Sequence, residues 1–260
     1  MPCWGAAKVV RSVTDNPDSR VAKVWKLVND CAAADRQTVS LSHVCAAAVL
    51  AAGVDGGALS LVTRMDRRSL AYASDELGQA LDDQQYSLGE GPCVEGWSTR
   101  VLVLAGDLAQ AGSFGGARWP VFTPIALAAG VNAVFGFPLQ LGAIRLGTLG
   151  LYRARPGALS SEQLADTQTL CGTAVSMMLA GTSFAANGTA PSWLPGTPAA
   201  GRIEVYQATG MVSVQLSVNL EDAFAALRAR AFAVGVPLAD IARLVVARRL
   251  RFMPGAEAEE

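Results

Sequence analysis

Apolar residues recur at helical spacing from Val21 to Ala34 and again from Ser42 to Ala52, which predicts two amphipathic helices. The period then shortens. GALSLVTR (57–64) and SLAYAS (69–74) read as strands paired across the polar turn Met65-Asp66-Arg67-Arg68. Glu76 to Gln85 is predicted as a short helix, SLGEGPCVEG as a loop, VLVLA (101–105) as a strand and Trp119 to Ala129 as a helix. AVFGFPLQL (133–141) and IRLGTLGLYRA (144–154) form a predicted hairpin that turns at Gly142. Ser160 opens a long helix to about Leu179, and Gln163 three residues later completes a capping box, each side chain satisfying a free N–H of the other. Helices on an antiparallel sheet of about five strands define an α+β domain.

The pattern breaks sharply after that helix. Residues 182–201, TSFAANGTAPSWLPGTPAAG, hold three prolines, three glycines and no charge, the composition of a linker. Three short amphipathic helices follow. The first carries Ile203, Tyr206, Gly210, Met211, Val214 and Val218 on its predicted inner face. Asn219 is placed to cap the second, with Glu221 and Asp222 in the first turn where the helix dipole favours acids. Its apolar face is Leu220, Ala223, Phe224, Leu227, Ala231 and Val234; Gly235 ends it and Pro237 starts the third helix. Leu238, Ile241, Ala242, Val245 and Leu250 form the third stripe. The predicted organisation is a lead-in (1–20), an α+β domain (21–181), the linker (182–201), an all-α three-helix module (202–253) and an acidic tail (254–260). So small a helical module buries little surface alone, which favours packing against a second copy and hence a homodimer.

Charge changes the picture of that module. Between Arg202 and Arg251 seven arginines face four acids, about +3, while the whole 260-residue chain is −1 and the remainder therefore sums to −4. A compact basic unit on a near-neutral body suits a polyanionic partner. Arg228, Arg230, Arg243, Arg248, Arg249 and Arg251 are the candidate contacts. Hydrophobic content of 51% with 17% charge is that of a globular protein. No run approaches the ~18 apolar residues of a membrane-spanning helix, and the N-terminus lacks a secretory apolar core, so the expected location is cytoplasmic. Five cysteines stand singly with no CxxC, and the lone histidine, His43, reads as a helix-start capping or surface group. Neither a zinc site nor a disulfide framework has the spacing it needs, and no metal or cofactor is predicted.

LSLVTR in the first strand, LGEGPCVEGW in the central loop, AVFGFPLQL, and the run LGTLGLYRARPGALSSEQL together resemble a GAF domain, a small sensory α+β module, over roughly residues 25–180. That resemblance implies an apolar cup for a small-molecule effector, with Trp97, Trp119, Phe135, Phe137 and Tyr152 as possible lining and Cys93 as a possible redox or ligand group. GAF-fold enzymes that reduce free methionine sulfoxide place a cysteine in a comparable glycine-rich loop. Here Cys31 and Cys45 match no partner-cysteine motif and no histidine is free to activate the thiol, so an enzyme is not expected. A bilin attachment site would need a Cys-His pairing that is absent.

The C-terminal segment resembles an ANTAR domain, an RNA-binding antitermination module, through Ala208-Thr209-Gly210-Met211-Val212, then Ala223, Leu227-Arg228 and Ala231, then Leu238, Ile241-Ala242 and Val245. The resemblance implies binding of paired RNA stem-loops in nascent leader transcripts, which prevents a terminator from forming. It gives Ala208, Gly210, Met211, Ala223, Leu227, Ala231, Ile241 and Ala242 packing roles, Gly210 as the point of close helix approach. Guanidinium groups suit the task because they pair bidentately with phosphates and stack on unpaired bases. Thr209 departs from the lysine many such domains carry before the helix-one glycine. Two alternatives stay open: a ligand- or redox-sensing GAF protein whose tail makes only protein contacts, and a methionine sulfoxide reductase using Cys93.

Overall fold

The computed structural model describes residues 17–63, 67–111, 118–185 and 200–253. The predicted lead-in up to residue 16, the turn at 65–66, the middle of the linker (186–199) and the acidic tail lie outside the described residues. Two helices, α1 (Pro17–Asp35) and α2 (Leu41–Ala52), precede the hairpin β1 (Gly56–Thr63) and β2 (Arg67–Ala73). Then come α3 (Glu76–Leu88), α4 (Pro92–Thr99), β3 (Val103–Ala105), α5 (Leu108–Ala111), α6 (Phe122–Ala128), β4 (Ala133–Leu141), β5 (Ile144–Arg153) and α7 (Ser161–Ala185). The last helices are α8 (Ala200–Leu216), α9 (Leu220–Val234) and α10 (Leu238–Val246). The five strands form one antiparallel sheet in the order β2-β1-β5-β4-β3.

Local chemistry sets the element ends. Ser160 and Gln163 close the predicted capping box at α7, Gln163 Oε1 accepting from Ser160 N at 2.9 Å and Ser160 Oγ from Gln163 N at 3.2 Å. His43 does the same for α2: its Nδ1 accepts from Ser40 N at 3.0 Å, and its ring is buried. Asn219 Oδ1 accepts from Asp222 N at 2.9 Å at the start of α9, and Gly235 ends that helix in the left-handed region with φ 69°.

Each sheet face buries a separate core. Leu59 and Leu61 of β1, Phe135, Phe137 and Leu139 of β4, and Leu149 and Leu151 of β5 pack with α1, α2 and α7. Burying side chains of this size stabilises by about 1.5–3 kcal/mol each. On the other face Leu81, Val103, Trp119, Phe122, Val134 and Tyr152 make a second cluster with α3, α5 and α6.

That second face contains a strip without side chains. Gly136 of β4 and Gly150 of β5 are cross-strand partners, and Ala58 of β1 lies next to Gly150. The start of α4 sits directly on this strip. A methyl group at Gly136 would be 2.4 Å from the Pro92 carbonyl oxygen, and one at Gly150 would be 2.6 Å from Cys93 Sγ. The stretch SLGEGPCVEG is thus not an open loop: Pro92 opens a helix, the position where its missing N–H costs nothing. Glutamates hold the next segment to it. Glu90 accepts from the backbone N of Val121 and Phe122 at 2.9 and 3.1 Å, and Glu95 accepts from Trp119 Nε1 at 2.9 Å and Arg118 Nε at 3.1 Å. Arg118 holds the Glu95 carboxyl below its usual range.

Three further sequence expectations need correction. The linker is shorter than predicted, because α7 runs on to Ala185 and α8 already starts at Ala200. The inner face of α8 is Val205, Ala208 and Val212, while Val214 is 80% exposed. Alanine and valine on several sides of this helix make its apolar stripe ambiguous in sequence. Gly210 is no point of close approach, since a Cβ there would meet nothing within 4 Å.

The glycine strip yields a stability test. Gly136→Ala is expected to lower the unfolding free energy in urea by about 1–3 kcal/mol, because the obstructing atom is backbone and cannot rotate away. Gly150→Ala meets only a thiol, so the double variant Gly150→Ala/Cys93→Ala should lose clearly less than the sum of the two single variants. Additive losses would contradict this packing.

Candidate functional site

The six residues singled out for a sensor site do not all converge. Phe135 and Phe137 lie in the core on the α2/α7 face, whereas Cys93 lies on the opposite face under α4. Trp97, half-buried on α4, stacks outward beneath Arg145 with the guanidinium carbon 4.4 Å from the ring centroid. Strand alternation carries the reason: residues 135 and 137 share a face that Gly136 does not. Of the other aromatics, Tyr152 and Trp119 do belong to the α4 side.

What remains of the cup is small. Leu81, Asp82, Gln85, Cys93, Phe122 and Tyr152 help to line a cavity of about 20 Å³, room for about one water molecule. Its polar groups are tied to one another. Asp82, 2% exposed, accepts from Ser60 Oγ at 2.8 Å and pairs with the Arg68 guanidinium. Gln85 Oε1 accepts from the Cys93 backbone N at 2.8 Å, and Tyr152 donates to Asp75 at 2.8 Å. A buried ion pair of this kind needs each partner satisfied, because a lone buried charge is costly. Sequence reasoning missed Asp82 and Arg68, and the sequence around them (QALDDQQ and RRSLAY) carries no motif that could have marked them. Cys93 is 2% exposed, and burial pushes its thiol above the usual range. The thiolate is the reactive form, so this placement makes a poor nucleophile.

The C-terminal helices build a third core. Ala208, Ala223, Leu227, Ala231, Ile241 and Ala242 are buried within it and Met211 packs against it. Thr209 is also buried, at 8% exposure, and donates back to the Val205 carbonyl at 2.7 Å. A lysine at this position would have to carry its ammonium out past neighbouring side chains.

The six arginines fall into different environments. Arg248, Arg249 and Arg251 are exposed together on the turn after α10. That helix stops at Val246, short of the predicted Leu250, and closes as a Schellman motif: Arg249 N donates to Leu244 O at 2.8 Å and Arg248 N to Val245 O at 2.9 Å. Arg248 occupies the left-handed position, φ 59°, that glycine usually takes. Phe252 N donates to Gln215 Oε1 at 2.8 Å, tying this turn to α8. Arg243 is exposed but paired with Asp240, and Arg230 is exposed on α9.

Arg228 is the exception. It is half-buried against the α+β domain, its guanidinium over the Phe224 ring at 4.9 Å and close enough to Gly89 that a Cβ there would lie 1.8 Å from it. Burial lowers its pKa. Beside it the rings of Tyr86 of α3 and Phe224 of α9 pack tilted, centroids 5.2 Å apart, and Tyr206 of α8 donates its hydroxyl to the Arg68 carbonyl of β2.

Among the described residues no helix is long and apolar enough to cross a membrane. No protein-family model matches the chain, and no curated protein matches it in sequence. Solved structures similar to it include GAF domains. That of an Acinetobacter phosphoenolpyruvate-protein phosphotransferase is 14% identical, with 66% of this chain and 99% of that one covered at a TM-score of 0.47. The corresponding domain from Coxiella burnetii is 15% identical, covering 64% and 98% at 0.46. The second GAF domain of DevS from Mycobacterium smegmatis is 12% identical, covering 56% and 95% at 0.40. At these levels the likeness carries no functional weight.

The burial of Cys93 makes a measurable difference. Iodoacetamide at pH 7.5 is expected to leave the Cys93 peptide unmodified in the native protein and to alkylate it fully in denaturant, as read by peptide mass spectrometry. Rapid native labelling would restore the reactive-thiol reading.

Proposed function

We propose that this chain is a cytoplasmic, signal-responsive transcription regulator: its α+β domain senses, and helices α8–α10 bind paired RNA stem-loops in nascent transcripts, preventing terminator formation. The observation that carries this reading is the Arg248-Arg249-Arg251 cluster. Three exposed guanidinium groups stand on one short turn, and one of them holds a backbone conformation that costs a non-glycine residue on the order of 1 kcal/mol. The two capping hydrogen bonds that end α10 fix this backbone and present the Arg248 guanidinium from it. Flexible, multidentate cations at a rigid turn can pair with phosphates and stack on loop bases at once.

A homodimer is part of the proposal, since two modules match two hairpins. Val214 and Leu220 are large apolar side chains left exposed on α8 and at the start of α9, and they are available to a second copy. No enzymatic step is assigned. The buried thiol of Cys93 argues against the sulfoxide reductase alternative.

The test separates RNA binding from mere folding. Wild-type protein should bind leader RNAs carrying paired hairpins in electrophoretic shift assays at stated salt. Arg248→Gly should raise the unfolding free energy by about 1 kcal/mol yet weaken RNA binding, with a shallower dependence on salt as a phosphate contact is lost. Arg249→Ala/Arg251→Ala should weaken binding further without loss of fold. Failure of the wild-type dimer to bind any paired-hairpin RNA would refute the proposal.

A further inference from the structure

The cavity inside the α+β domain has room for only about one water molecule, but a much larger one lies at its junction with the C-terminal helices. A cleft of about 620 Å³ opens between α3 and α6 on one side and α9, the Gly235–Pro237 turn and the start of α10 on the other. That volume falls within the ~300–1,000 Å³ typical of small-molecule sites, which favour domain junctions. The lining is chiefly apolar. Leu88 and Ile125 face Phe232 and Leu238 across it, and Phe232 is 66% exposed, a large aromatic surface with no cover.

Its one cation among the described residues is Arg228. Among the described residues no carboxylate lies within ion-pairing distance of this guanidinium, and its contact is the face of Phe224. The acid on the opposite wall, Asp83, already has a partner. A half-buried cation in an apolar cleft, which Glu221 reaches only from beyond ion-pairing distance, has given up hydration for little charge in return, and an anion supplied from outside improves that balance.

We infer that this interdomain cleft is a binding site for a small organic anion, an aromatic or aliphatic acid whose charged group meets Arg228 and whose apolar body lies against Phe232 and Ile125. The acid group and the apolar body are both needed: the first fixes the end of the ligand at Arg228, and the second fills the cleft towards α10. The site does not depend on the RNA reading, because what it predicts is small-molecule binding by the full chain.

Anilinonaphthalene sulfonate, with a bulky apolar body and one fixed negative charge, is the probe, and phenylnaphthylamine is its neutral counterpart. Titration of the full-length protein, its fold verified by near-ultraviolet circular dichroism, should show one saturable sulfonate site per chain by fluorescence. Arg228→Met should weaken the sulfonate by about tenfold or more while leaving the neutral probe unchanged, and Arg228→Lys should recover part of the loss. Ala239→Trp, which enters from the α10 wall and leaves the guanidinium in place, should block both probes. If Arg228→Met does not fold, the wild-type preference for the sulfonate over the neutral probe, abolished in Ala239→Trp, decides the matter. Sulfonate binding that is absent from the folded wild type, equal to that of the neutral probe, or unaffected by Ala239→Trp overturns the inference.

Discussion

The contact between α4 and the bare strip of the sheet is the constraint on which the α+β domain depends. Gly136 and Gly150 face each other across β4 and β5, and the backbone of Pro92 and Cys93 rests where their side chains would otherwise stand. Close packing leaves no tolerance there: one methyl group overlaps backbone at one site and a sulfur at the other. With α4 lowered onto the sheet, Glu90 and Glu95 come within reach of the segment from Arg118 to Phe122 and bring Trp119 and Phe122 into the second core. The same contact fills the space that an internal ligand would use and seals Cys93 from solvent.

Much of this architecture is legible in the sequence where periodicity or a cap defines it. The strand β4 begins and ends where alternation and flanking residues place it, and Ser160–Gln163, Asn219 and Gly235 mark helix ends through hydrogen bonds that are local in sequence. The helix α4 is hidden because glycines around Pro92 imitate a loop, although proline at a first helical turn was a usable signal. The facing of Phe135 and Phe137 was also readable, since alternation alone sets them opposite to Gly136. The inner face of α8 was not, because valine and alanine surround that helix and only its neighbours choose a side. Nor could sequence show that Arg228 differs from Arg230: the two are separated by one residue on one helix, and only the docking of α9 on α3 divides them.

That division bears on how charge is used in the C-terminal unit. Exposed arginines such as Arg249 and Arg251 are fully hydrated and cost the fold little. Arg228 is partly dehydrated, its close partner is an aromatic face, weaker than a carboxylate, and Glu221 acts on it only from farther off. The unit's positive charge therefore comprises an outward group open to large partners and an inward one open only to molecules that fit between the domains.

Arg68 joins the two halves more directly. Its guanidinium is committed to Asp82 beneath α3, while its own carbonyl receives the hydroxyl of Tyr206 from α8. One residue thus serves as a wall tie between separately built leaves, fastened at the side chain in one and at the backbone in the other. Together with the Tyr86–Phe224 contact and Arg228 beside Gly89, this tie is one of the places where a change in one half is felt by the other.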